Sequence, residues 1–134
     1  MSRRKAREIA FKVLFQVDQV NADPEEVFGY LTGENQITEL NKGFSWKLIQ
    51  GYLDHRHSID AKIQLLSRDW SLERMPSVDR NIMRTAISEI LYLDEAQPVV
   101  AINEAIEIAK TYGDVNSSSF VNAILDKVYG ERES

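Results

Sequence analysis

The sequence predicts an all-α fold, a compact bundle of about seven helices. Apolar residues return at spacings of three and four in segment after segment, the period of a helix with one buried face. Proline, glycine and short polar clusters fall between those segments, and no stretch alternates apolar and polar residues long enough to form a sheet. With 134 residues, 43% of them apolar, the chain has enough material for one core, so residues 1–134 are expected to be a single domain.

In the first helix, from Ser2 as cap, the apolar positions are Ala6, Ile9, Ala10, Val13, Leu14 and Val17. Asp23-Pro24-Glu25-Glu26 starts the second, an acidic cap with proline at the first helical position, and Gly33 offers its stop. A third runs from about Thr38 through Phe44, Leu48, Ile49 and Tyr52, and a fourth from Ser58 through Ile59, Ile63 and Leu66. The segment Trp70 to Pro76 reads as a connection. Ser77-Val78-Asp79-Arg80 then opens the strongest core helix, with Ile82, Met83, Ala86, Ile87, Ile90 and Leu91. Beyond Pro98, Val99 to Tyr112 reads as a sixth helix with Gly113 as C-cap, and Asn116 or Ser117 caps a last one through Phe120, Val121, Ile124, Leu125 and Val128.

The apolar runs are far too short to cross a bilayer. Absence of cysteine excludes disulfides and thiolate metal sites, and the charged N-terminus contains no apolar secretion signal; both point to the cytoplasm. The net charge is −5, but residues 1–12 hold Arg3, Arg4, Lys5, Arg7 and Lys12 against Glu8 alone, so the other 122 residues carry −9. A basic end on an acidic body suits a local anionic partner, although a solvated helix end gives the same charge pattern.

The usual signs of catalysis are missing: no glycine-rich phosphate loop, paired-histidine metal motif or cysteine nucleophile. His55 and His57, two apart on a helix, point to different faces and read as solvated side chains, so neither metal nor cofactor is expected. Glu104 and Glu107 are accounted for by the dipole at the start of their helix. On a helical wheel Arg3 and Arg7 share one edge of the first helix, with Arg4 nearby. Phe11 and Phe15 fall away from its main core face. Arginine pairs with phosphates and an aromatic ring is a platform for an unstacked base, the combination by which proteins read single-stranded RNA. The alternative is that both phenylalanines pack on another helix, which would bury the first helix on two sides.

Four blocks in order resemble the NusB family of bacterial transcription antitermination factors, over essentially the whole chain. They are Arg3-Arg4-Lys5-Ala6-Arg7-Glu8 with Leu14-Phe15-Gln16-Val17-Asp18; Trp70-Ser71-Leu72-Glu73-Arg74-Met75 with Val78-Asp79-Arg80 and Ile82-Met83-Arg84; the run Val100 to Gly113; and Phe120-Val121-Asn122-Ala123-Ile124-Leu125-Asp126. The resemblance implies two packed subbundles, binding to the single-stranded boxA element of nascent ribosomal RNA, pairing with the ribosomal protein NusE, and indirect contact with other Nus factors and RNA polymerase. By matching position it nominates Arg3, Arg4, Lys5, Arg7, Phe15, Tyr112, Asn116 and Phe120 for RNA, and Asp79 and Arg80 for NusE. The last two read equally as a helix cap and a surface ion pair.

Ala123 stands where that family usually has glycine, Ser88 where an aromatic is common, and Phe15 where tyrosine is frequent. A phenyl ring still stacks, with one hydroxyl donor fewer. The fold also resembles the N-terminal RNA-binding part of ribosomal RNA cytosine methyltransferases, but these residues hold no strand–helix alternation or glycine-rich turn for a cofactor domain. A bundle with no RNA role is the third reading. The pattern leaves monomer and homodimer equally open.

Overall fold

The computed structural model describes residues 3–68 and 70–133, and these form seven helices and no strand: α1 Arg3–Val20, α2 Pro24–Glu34, α3 Glu39–Asp54, α4 Arg56–Ser67, α5 Ser77–Tyr92, α6 Pro98–Tyr112 and α7 Ser117–Glu133. The expected cap Ser2 lies outside the described residues. Asp23 caps α2 by accepting from Glu26 N with Pro24 in the first turn, and Thr38 caps α3 by accepting from Asn41 N. Gly33 does not stop α2; it lies in the last turn, and Asn35 ends the helix by donating its amide to Leu31 O. The fourth helix starts two residues earlier than expected because His55 is the hinge between α3 and α4. Gly113 does cap α6, but with φ −94° rather than in the left-handed region. Glycine is needed there for space: a Cβ would run into Ser117 Oγ and the Ala109 carbonyl.

Helices α1–α3 pack together, as do α4–α7, and α5 joins the two groups by packing against both α1 and α3 on one side and α6 and α7 on the other. This is the expected pair of subbundles. Every residue of α5 from Asp79 to Ile90 is buried. Ile82, Met83, Ile87 and Ile90 are sealed from solvent, each contributing about 1.5–3 kcal/mol by burial. A helix buried all round must match its polar residues, and it does so except at Asp79 Oδ1, which has no hydrogen-bond partner among the described residues. Ser88 donates to the Leu48 carbonyl at 2.8 Å, at the point where a Cβ on Gly51 would collide with its Oγ. The serine, in place of a common aromatic, is the size that this close approach of α3 to α5 permits.

Among the described residues, no helix is long and apolar enough to cross a membrane and no group of three His, Cys, Asp or Glu could hold a metal ion. His55 is not a solvated helical side chain: its ring stacks on Tyr92, centroids 3.6 Å apart and 6° from parallel, while His57 is exposed.

Candidate nucleic-acid interface

Helix α1 is buried on two sides. Its apolar stripe, Ala6, Ile9, Ala10, Val13 and Leu14, faces the core, and Phe11 is buried as well at 4% exposure. Phe15, four residues on, is only half-buried, its ring 6.1 Å from that of Phe11. The two phenylalanines therefore divide between the two expected readings: Phe11 is core, and Phe15 keeps an open side.

The arginines divide in the same way. Arg7 Nε and Nη2 donate to Glu89 Oε1 and Oε2 of α5 at 2.8 and 2.7 Å, and the pair is buried. Arg4 is exposed and donates from Nε and Nη2 to Glu104 of α6 at 2.9 and 2.8 Å; Arg7 Nη1 also approaches Glu104 at 3.8 Å. The hydrogen bond and charge of Arg4 hold the Glu104 carboxyl below its ordinary range. Glu104 is thus an ion-pair partner, which the helix dipole alone had not suggested. Arg3 is half-buried, its guanidinium 4.0 Å above the Phe44 ring, and Lys5 is half-buried on the same turn.

The distant nominees come to this helix through α6. Tyr112 donates its hydroxyl to Glu8 Oε2 at 2.8 Å, its ring lies 5.5 Å from Phe11, and Lys12 Nζ sits 5.2 Å from its centroid. Burial and the bond to Glu8 push the Tyr112 phenol up to about 12, so it remains a donor at neutral pH. Phe11, Lys12, Phe15, Gln16, Val78 and Tyr112 line a groove of about 290 Å³. Lys12 and Gln16 were not singled out from the sequence; their position one helical turn apart beside Phe15 was the available signal.

A second recess, of about 350 Å³, is lined by Ser67, Trp70, Pro76, Asp79, Asp114, Asn116 and Phe120. Trp70 and Phe120 form an aromatic pair, centroids 5.7 Å apart, and Asn116 is exposed at the turn into α7. The two cavities flank the start of α5, since Val78 lines one and Asp79 the next. Neither Asp79 nor Arg80 is a surface ion pair or a cap: the cap position belongs to Pro76, with no side-chain bond. Arg80 is buried and donates to Asp18 Oδ2 at 2.9 and 2.6 Å and to the Leu72 carbonyl at 2.7 Å. Asn81 shares Asp18 Oδ2 at 2.8 Å, and Arg84 forks onto Asp60 at 2.9 and 3.0 Å. Burial pushes the Asp18 carboxyl up, but the hydrogen bonds from Asn81 and Arg80 and the charges of Arg80 and Arg84 outweigh it and hold it below the usual range. Asp79 is 3% exposed, and burial raises its carboxyl against a smaller effect of hydrogen bonding from Ser117.

Residues 4–130 match the model of the NusB family. The transcription antitermination protein NusB of Syntrophomonas wolfei is 64% identical over 98% of both chains, and that of Lysinibacillus sphaericus is 42% identical over 95% of this chain and 96% of its own. Among solved structures, T. maritima NusB superposes with a TM-score of 0.90 at 37% identity, covering 98% of this chain and 92% of that one. The antitermination factor NusB in its complex with NusE and double-stranded RNA gives 0.87 at 28% identity over 96% of each chain. Seven helices in the same arrangement, the four sequence blocks and relatives matched from end to end agree: the chain belongs to the NusB family.

Proposed function

We propose that this protein is a transcription antitermination factor that holds the single-stranded boxA element of nascent ribosomal RNA together with NusE, and so joins the elongating RNA polymerase complex without catalysing a reaction. The observation that carries this reading is the junction at Tyr112. It joins the basic first helix to the α6–α7 loop, residues 104 positions apart in sequence, around one aromatic-lined groove. A solved relative in complex with NusE and double-stranded RNA supports the choice of NusE and of RNA as partners. Arg3, Arg4 and Lys5 supply attraction to phosphates, Phe15 and Phe120 stack bases, and Tyr112 and Asn116 frame the loop between them. Arg7, locked to Glu89, acts by fixing α1 rather than by touching RNA. NusE docks at the start of α5, where Arg80 and Asp18 tie that helix to α1.

Titration of labelled boxA-like and scrambled RNA at two salt concentrations, with and without NusE, tests the proposal. NusE is expected to raise RNA affinity by the same factor by which RNA raises NusE affinity. Replacing Arg3, Arg4 and Lys5 with alanine is expected to weaken binding and flatten its salt dependence. Unchanged affinity and slope in that variant would remove α1 from the RNA surface.

A further inference from the structure

The three arginines of α1 are held in two different ways. Arg4 commits Nε and Nη2 to Glu104, and Arg7 commits the same two nitrogens to Glu89. Among the described residues Arg3 has no carboxylate partner and no hydrogen bond; its guanidinium lies 4.0 Å above the centre of the Phe44 ring. Its Nη1 is enclosed, and Nε and Nη2 are left unpaired. Phe44 is only 6% exposed, and the next residue fixes α3 against α1, because Ser45 Oγ donates to the Ala6 carbonyl at 2.8 Å in a buried bond. Arg7 lies 5.1 Å from the same ring, with its charge already met by Glu89. The acids that share a recess with Arg3 are paired elsewhere, Glu89 with Arg7 and Glu95 with Lys47 at 3.9 Å.

We propose that Phe44 is a positioning residue for RNA: its ring holds the Arg3 guanidinium by the face, so that the Nε and Nη2 edge stays free to fork onto a backbone phosphate. The proposal rests on the RNA-binding reading and adds to it a residue of α3 that itself touches no RNA. A carboxylate orders an arginine by taking its in-plane N–H groups, the same donors that a phosphate needs. An aromatic ring attracts the cation through its face and leaves those donors unused. Arg3 is thereby ordered before RNA arrives, so less side-chain freedom is lost on binding. The carboxylate of a protein partner has the same forked shape as a phosphate. Arg4 and Lys5, however, adjoin Arg3 in the chain, and Arg4 is exposed, a run of positive charge that suits the repeated charges of a nucleic acid.

The test uses the full chain with NusE and a boxA-like RNA. Phe44 is replaced by 4-fluoro-, 3,5-difluoro- and 3,4,5-trifluorophenylalanine, which keep the ring's shape while each fluorine withdraws charge from its face. RNA affinity, measured where circular dichroism shows each protein folded, is expected to fall stepwise by about two- to fivefold over the series. In an Arg3→Ala background, itself expected to lower the salt slope by about one, the same series is expected to be flat. A flat series in the wild-type background, with RNA still bound, overturns the role of Phe44 and leaves the RNA reading standing. Affinity that rises with fluorination overturns it too, because the ring would then be withholding Arg3 from RNA. A loss that persists in Arg3→Ala assigns the effect to Arg7 or to the fold and overturns it as well. A series that weakens NusE binding in the absence of RNA, with RNA affinity unaltered, makes Arg3 a protein contact and overturns it. No RNA binding by the wild type removes both readings.

Discussion

Arg7 and Glu89, 82 positions apart in sequence, meet in a buried two-bond ion pair that fastens α1 to α5. Removing either partner leaves a charge in a water-poor site, so Arg7→Ala and Glu89→Ala are each expected to lose about 3–5 kcal/mol in chemical denaturation. At temperatures where Arg7→Ala remains folded, its RNA salt slope is expected to match wild type. A slope lower by about one would instead make Arg7 a phosphate contact.

Arg4 stands in contrast, exposed and held by Glu104. RNA must compete with that carboxylate for the guanidinium. Glu104→Gln is therefore expected to raise RNA affinity about two- to fivefold, in line with a surface pair, and to steepen the salt dependence. Binding isotherms at two ionic strengths decide this. Equal or weaker binding would mean that Glu104 orients Arg4 instead of competing for it.

Two aspartates are expected to move stability in opposite directions with pH. The Asp18 carboxyl is held low in the folded state, so its contribution is present above the ordinary aspartate value of about 3.9 and is lost as pH falls through its lowered folded value. Asp18→Asn should then destabilise at pH 7 and progressively less in acid. Asp79 is held high, so its charge opposes folding at pH 7 and ceases to do so once it is protonated in both states. Asp79→Asn should stabilise at pH 7, with the gain vanishing as pH approaches 3.9. Urea denaturation across pH 3–8 measures both.

Phe11 and Phe15 separate folding from binding. Phe11→Ala empties a buried site and is expected to cost about 3–5 kcal/mol of stability. Phe15→Ala is expected to cost less stability and to remove about 1–3 kcal/mol of RNA binding, the worth of one stacked base. Melting curves and RNA titrations of the same two proteins provide the comparison, and an RNA affinity untouched by Phe15→Ala would take the ring out of the interface.

Gly51 and Ser88 form a size lock between α3 and α5. Gly51→Ala gains helix propensity but drives a methyl into Ser88 Oγ, a net loss of about 1–2 kcal/mol. The same change in a Ser88→Ala background is expected to cost little, because the colliding oxygen is gone. Equal losses in both backgrounds would place the strain elsewhere.

The helices and most of their ends are legible in the amino-acid order alone. Asp23-Pro24 and Thr38 act within one turn of their own backbone, and a buried stripe repeats every three or four residues, so both are local signals. The family was equally legible, from four blocks in order. Which charged groups are spent inside the protein and which remain for a partner depends instead on how the helices pack. Arg3, Arg4, Lys5 and Arg7 look alike in the chain, yet Arg7 is consumed by Glu89 and Arg4 is shared with Glu104, a pairing 100 positions apart that no helical wheel can show. Glu89 on an otherwise buried stripe was a hint that some cation must reach it. Its identity, and the vacant acceptor on Asp79, follow from how α1, α5 and α6 pack, because a buried charge is matched or orphaned by whatever the neighbouring helix brings to it.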